Sequence, residues 1–151
     1  MQEASKMELK STSHGYGQNT YHFVFVPKCR YRYFFHKGIR KQCKKAFYGI
    51  AYSYSFKIHA LEIQPDHVHL FVSFASSYSV SKVVQLFKGI SARRILKEFP
   101  YVRDTYLRNN HFWSAGKFYR SVGNVTADTI QHYITQSQHG WTFEPQEKLE
   151  A

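Results

Sequence analysis

Acidic residues and cysteines are both scarce in this chain. Ten Asp and Glu stand against twenty-one Lys and Arg, a formal charge of +11 at pH 7. Two cysteines, Cys29 and Cys43, are present without C-x-x-C spacing. That argues against a structural zinc site, and one disulfide would add little to a domain of this size. Both read as reduced bystanders. No apolar run approaches the roughly 18 residues that a membrane helix needs. The stretch Met1 to Lys10 lacks the apolar centre of a secretion signal. A cytoplasmic protein with no membrane partner is the expectation.

What is present in quantity is apolar and aromatic surface. Of 151 residues, 43% are hydrophobic and 18% are Phe, Trp or Tyr, enough to bury one domain core. The cationic excess favours a polyanion, because each neutralised phosphate releases condensed counterions. Solubility alone is the blander account of the same charge.

Along the chain, residues 1–19 are polar and small and read as a flexible N-terminal arm, with the domain expected over 20–140 and a tail over 141–151. Tyr21-His-Phe-Val-Phe-Val26 reads as a buried strand ended by Pro27. In Lys28-Cys-Arg-Tyr-Arg-Tyr-Phe-Phe35, basic and aromatic residues interleave. Cations there could hold phosphates while rings stack on unpaired bases, or the rings could simply pack on the core. Residues 38–54 show a helical stripe of Ile39, Cys43, Ala46, Phe47 and Ile50. Two strands over 57–63 and 67–74 flank a turn at Pro65-Asp66. Serines 76 to 81 supply an N-cap for a long helix over 80–99. A polar, basic connector over 101–110, a fourth strand over 111–122 and a last helix through Gln138 complete the series. The order β-α-β-β-α-β predicts an α+β, ferredoxin-like antiparallel sheet with helices on one face, followed by an extra C-terminal helix.

The chemistry concentrates in Gln64-Pro-Asp-His-Val-His-Leu70. On a strand, residues i and i+2 share a face, so His67 and His69 project together while Val68 and Leu70 face the helices. Two imidazoles so placed can share a metal ion if a third ligand arrives from elsewhere. H-x-H alone is a weak signal, strengthened here because unpartnered imidazoles in an apolar strand would be costly to bury. Tyr133 is the second element: a tyrosine hydroxyl can attack a phosphodiester beside a metal. Gln136, at i+3, shares its helix face. With twelve tyrosines in the chain, spacing alone does not select Tyr133.

The strand Tyr21-His-Phe-Val-Phe-Val-Pro-Lys28, the run Pro65-Asp-His-Val-His-Leu70, Phe87-Lys-Gly-Ile-Ser-Ala-Arg-Arg94, Trp113, Phe118 through Gly123 and the segment Ile130 to Gln138 occur in one order. In that series the chain resembles the single-tyrosine transposases of the insertion sequence two hundred-like group, a branch of the HUH nucleases, over roughly residues 7–140. The resemblance implies binding of single-stranded element ends bearing hairpins. It also implies cleavage by tyrosine attack to give a 5′-phosphotyrosine link, rejoining without an external energy source, a requirement for Mg²⁺ or Mn²⁺, and a homodimer. Carried over by position, His67 and His69 are metal ligands and Tyr133 is the nucleophile. The third ligand departs from pattern. The family's glutamine lies four residues after the tyrosine, where this chain has Ser137, flanked by Gln136 and Gln138. Helical geometry favours Gln136; a π-bulge, which adds one residue to a turn, would bring Gln138 round instead, and Glu62 is a third candidate. Lys88, Arg93 and Arg94 match the family's Lys-Gly-x-Ser-Ala-Arg run and are expected, with Lys28 and Arg30, to contact DNA. Asp66 reads as a turn residue and not a ligand, and His22, His59, His111 and His132 as structural or surface residues. Two other classes fit parts of the pattern. An RNA-recognition module shares the element order but carries stacking rings where this strand carries histidines. An HUH replication initiator or relaxase shares the chemistry but usually has further domains.

Overall fold

A computed structural model describes residues 18–106, 111–116 and 118–123. Tyr133, Gln136, Gln138 and His132, the 1–19 arm up to residue 17, and the 141–151 tail lie outside the described residues. The elements run β1 (Gln18–Phe25), two 3₁₀ turns (Lys28–Arg30 and Tyr33–Phe35), α1 (Lys37–Tyr54), β2 (Lys57–Gln64), β3 (His67–Ala75), α2 (Val80–Glu98), α3 (Pro100–Tyr106) and β4 (Phe118–Gly123). The sheet order is β2-β3-β1-β4, and every neighbouring pair is antiparallel. Strands β1 and β2, joined through α1, leave a gap that β3 fills. The architecture is the expected ferredoxin-like one.

The helices form where apolar spacing and caps coincide. In α1 the stripe Ile39, Cys43, Ala46, Phe47 and Ile50 is buried. Its first turn is capped by His36, whose Nδ1 accepts the Ile39 N–H at 3.2 Å. Ser79 caps α2 by accepting from the Lys82 N–H at 3.0 Å. Both helices bury their apolar stripes with Phe23, Phe25, Val68, Leu70, Val72 and Phe74. These are alternate residues of β1 and β3, so one sheet face is the floor of the core.

Three local expectations change. The expected connector over 101–110 contains a helix: Pro100 opens α3 at the position where its missing N–H is no loss, and Val102 is fully buried. The fourth strand begins at Phe118 instead of 111. Ahead of it Gly116 takes φ +103°, a left-handed conformation, and Trp113 turns into the core. There Trp113 Nε1 donates to the buried Ser91 Oγ at 2.9 Å, and Pro27 bridges Trp113. Finally, the segment after β1 is two tight turns. Tyr33 and Phe34 are buried there while Phe35 is 62% exposed, so of these three rings only Phe35 is placed to meet a base.

Candidate metal centre on the sheet face away from the helices

Alternation and register assemble the site. His67 and His69 lie on the face of β3 opposite Val68 and Leu70, as the spacing predicts. Antiparallel register sets His69 across from Glu62 on β2 and from Val24 on β1. His22, two residues before Val24, falls on the same face. The His67 and His69 rings are perpendicular, with centroids 4.9 Å apart.

Each imidazole is held by its Nδ1. For His67 the partner is the adjacent Asp66, whose Oδ1 lies 2.8 Å from Nδ1. The other Asp66 oxygen accepts from Arg30 Nε at 3.0 Å. For His69 the partner is His22, with Nε2 3.0 Å from His69 Nδ1. In both ligand candidates, then, the Nδ1 edge of the ring is anchored by a neighbouring side chain.

The rings are also in the protonation state a ligand needs. Burial pushes His69 down to about 3, with the neighbouring His22 and His67 adding to the effect. Burial likewise takes His22 down to about 3, reinforced by the Arg120 charge. His67 is lowered by burial despite the opposing hydrogen bond and charge of Asp66. Neutral imidazole carries the lone pair that binds a cation. Among the described residues no group of three or more His, Cys, Asp and Glu is arranged to hold a metal ion. The described residues thus supply a neutral histidine pair, and a divalent ion held there would need further ligands from elsewhere.

Arg30 reaches this site through an unusual turn. Cys29 and Arg30 both adopt positive φ, 57° and 55°, a conformation that costs non-glycine residues roughly 1–2 kcal/mol each. The turn directs the Arg30 side chain onto Asp66. The expected DNA-contacting cations are not gathered in one patch. Lys28 sits in the same turn as Arg30, its backbone N–H donating to Phe112 O at 2.8 Å. Lys88 Nζ donates to the carbonyls of Ser114 (2.9 Å) and Gly116 (2.7 Å), pinning the 114–116 segment to α2. Arg93 is exposed and lines a groove with Lys88, Lys97 and Arg103. Arg94 reaches toward Gly49 of α1: a Cβ there would meet its guanidinium at 3.3 Å.

Two participants escaped the sequence. His22 read as structural because nothing local links it to His69; only the β1–β3 register does. Asp66 read as a turn residue, which it is, but its carboxylate also bridges His67 and Arg30. Adjacency to His67 was the available signal.

A family model described as "Transposase IS200 like" matches residues 16–137. The chain belongs to the IS200-like transposase family. The ISDra2 transposase TnpA of Deinococcus radiodurans is 28% identical over 133 residues, covering 88% of this chain and 93% of that one. The transposase for insertion sequence element IS200 of Salmonella typhimurium is 29% identical over 134 residues, covering 87% of each. Among solved structures, a protein of Deinococcus radiodurans assigned as a transposase superposes with a TM-score of 0.67 at 25% identity, over 83% of this chain and 95% of that one. A REP-associated tyrosine transposase bound to a REP hairpin shares the fold, with a TM-score of 0.51 at 19% identity over 82% and 70% of the two chains. Membership in this family makes the chain a DNA-cleaving transposase by class. Among the described residues no helix is long and apolar enough to cross a membrane.

Proposed function

We propose that this transposase cleaves and rejoins single-stranded DNA at the hairpin-bearing ends of an insertion sequence, through a 5′-phosphotyrosine intermediate on Tyr133. The observation that carries this reading is the pair His67 and His69 on one sheet face, with ring centroids 4.9 Å apart and each Nδ1 held by a neighbouring side chain. His67 and His69 would hold Mg²⁺ or Mn²⁺, with Gln136 or Gln138 completing the set. Bound there, the ion would polarise the scissile phosphate and offset the charge that develops on it. Imidazole donors suit the softer of the two ions, so Mn²⁺ is expected to bind more tightly than Mg²⁺.

The chain's own residues do the rest. Tyr133 Oη forms a bond to the phosphorus as the bond from phosphorus to the 3′ oxygen breaks. The phenol loses its proton and the departing strand leaves as a 3′-OH. Because a phosphodiester is exchanged for a phosphotyrosine diester of similar energy, a 3′-OH can reverse the step and rejoin ends. The cationic excess holds the polyanionic strand, with Lys28, Arg30, Lys88, Arg93 and Arg94 as the proposed contacts. The working form is proposed to be a cytoplasmic homodimer. The resemblance in the segment Ile130 to Gln138 supports Tyr133 as nucleophile, and the family match, which runs through Tyr133, is consistent with it.

Incubation with single-stranded DNA from the ends of its element and Mg²⁺ should give a covalent protein–DNA adduct, visible as a mass-shifted band. Tyr133→Phe should form no adduct while binding the hairpin nearly as well. An adduct that persists in Tyr133→Phe sinks the assignment of the nucleophile.

A further inference from the structure

His22 is 1% exposed, on a sheet face where an aliphatic residue would fill the same volume without a polar atom to satisfy. Its ring lies flat against Phe71, with centroids 4.3 Å apart and planes 3° apart. It is also roughly parallel to His69, at 5.2 Å and 26°. The stack fixes the plane of His22, and the hydrogen bond fixes which edge faces His69: Nε2 of one ring against Nδ1 of the other, at 3.0 Å.

We infer that His22 is a positioning residue that sets the tautomer and ring orientation of His69. The inference rests on the reading of His67 and His69 as metal ligands, and it deepens that reading. A neutral imidazole carries one N–H. If His69 gives its Nε2 lone pair to a metal, its proton must be on Nδ1, where it needs an acceptor. His22 Nε2 is that acceptor, which requires His22 to keep its own proton on Nδ1. His22 cannot itself be a third ligand through Nε2, because that atom is committed to His69. The two ligands are thus backed unequally: a carboxylate stands behind His67 and a neutral ring behind His69. Groups that hold the far nitrogen of a metal-bound histidine fix its direction and its basicity, and losing one typically weakens metal binding about 10–100-fold.

The test is a Mn²⁺ titration of the full chain without DNA, followed by the loss of the free-ion EPR signal. His22→Phe keeps a flat ring on Phe71 and removes the acceptor; Mn²⁺ affinity should fall about 10–100-fold. His22→Gln offers an amide oxygen to His69 Nδ1–H and should recover most of it, while metal-free hairpin binding stays near the wild-type level in both. Equal Mn²⁺ affinity in His22→Phe and wild type overturns the inference. A folded His22→Gln as weak as His22→Phe overturns it in favour of simple packing. Wild-type protein that binds no Mn²⁺, or His69→Ala that binds it as well as wild type, overturns the metal reading itself. Should His22→Phe fail to fold, long-range ¹⁵N–¹H correlation of the wild-type imidazoles in Mg²⁺ decides without a variant. Protons on Nδ1 of both His69 and His22 are expected, and an unprotonated His69 Nδ1 overturns the assignment.

Discussion

Toward α1 and α2, strands β1 and β3 contribute Phe23, Phe25, Val68, Leu70, Val72 and Phe74. On the opposite face the same strands contribute Thr20, His22, His69, Phe71 and Ser73, and all eleven residues are at most 4% exposed. The first set needs no explanation beyond the removal of apolar surface from water. The second set buries groups that lose hydration, and the structure compensates each with a partner. Thr20 Oγ1 and Ser73 Oγ are 2.8 Å apart, Ser73 Oγ and His59 Nε2 are 2.7 Å apart, and His22 meets His69. Hydrogen bonds of this kind largely offset desolvation without adding much net stability. One face therefore supplies the folding energy, and the other holds polar groups in fixed places.

The largest expected effect tests the first half of that division. Phe87 is fully buried, with ring centroids 5.0 Å from Phe47, 5.9 Å from Phe56 and 6.1 Å from Phe25. Phe87→Ala should destabilise the domain by about 3–5 kcal/mol, read from the urea midpoint. A loss below about 1 kcal/mol would mean that the helix-covered face is not where stability resides.

Next in size is a substitution on the polar face that should separate function from folding. Asp66→Asn leaves an oxygen near His67 Nδ1 but removes the charge that Arg30 and His67 share. Metal dependence of adduct formation should shift to concentrations at least tenfold higher. The same change should cost only about 1–2 kcal/mol of stability, since both partners are partly solvated. An unchanged metal midpoint together with a large drop in melting temperature would show that Asp66 serves folding instead. Compared with His22→Phe, the result also ranks the carboxylate backing of one proposed ligand against the imidazole backing of the other.

The two faces were not equally legible in the sequence. Periodicity and composition exposed the apolar one: the α1 stripe and the alternation through Val68, Leu70 and Val72 need only local spacing. His67 and His69 were legible for the same reason, because i and i+2 on one strand must share a face. The partners of those histidines were not. His22 meets His69 only because β1 and β3 pair in a particular register, a property of two distant segments. The basic–aromatic run after β1 failed differently. Tight 3₁₀ turns send successive side chains about 120° apart. Tyr33 and Phe34 therefore go inward while Phe35 points out beside the Arg32 guanidinium, 5.8 Å from its ring centroid. Composition cannot assign those directions. In α3, Val102 is the one buried residue among the described side chains, too little periodicity to reveal the helix.

The smallest expected effect isolates the part of the polar face that is not bonded to the proposed ligand pair. His59 is pushed down to about 4, first by burial and then by the nearby Lys57 charge, and its hydrogen bond goes to Ser73. Its folded-state value lies below the ordinary 6.5, so the unfolded chain takes up a proton more readily. The stability contribution is then complete above about pH 6.5 and is lost progressively as pH falls toward 4. His22 and His69, both held near 3, act in the same direction over a window that extends lower. Without metal, the melting temperature should therefore drop between pH 7 and pH 5. His59→Gln removes one of the titrating groups and keeps an amide for Ser73, so that drop should shrink by roughly a quarter to a third. Mn²⁺ affinity should be the same in His59→Gln and wild type, because the His59–Ser73–Thr20 chain does not run through His67 or His69. A change in Mn²⁺ affinity with no change in the pH response would join the two polar chains into one network. The division between a ligand-holding cluster and a merely satisfied one would then fail.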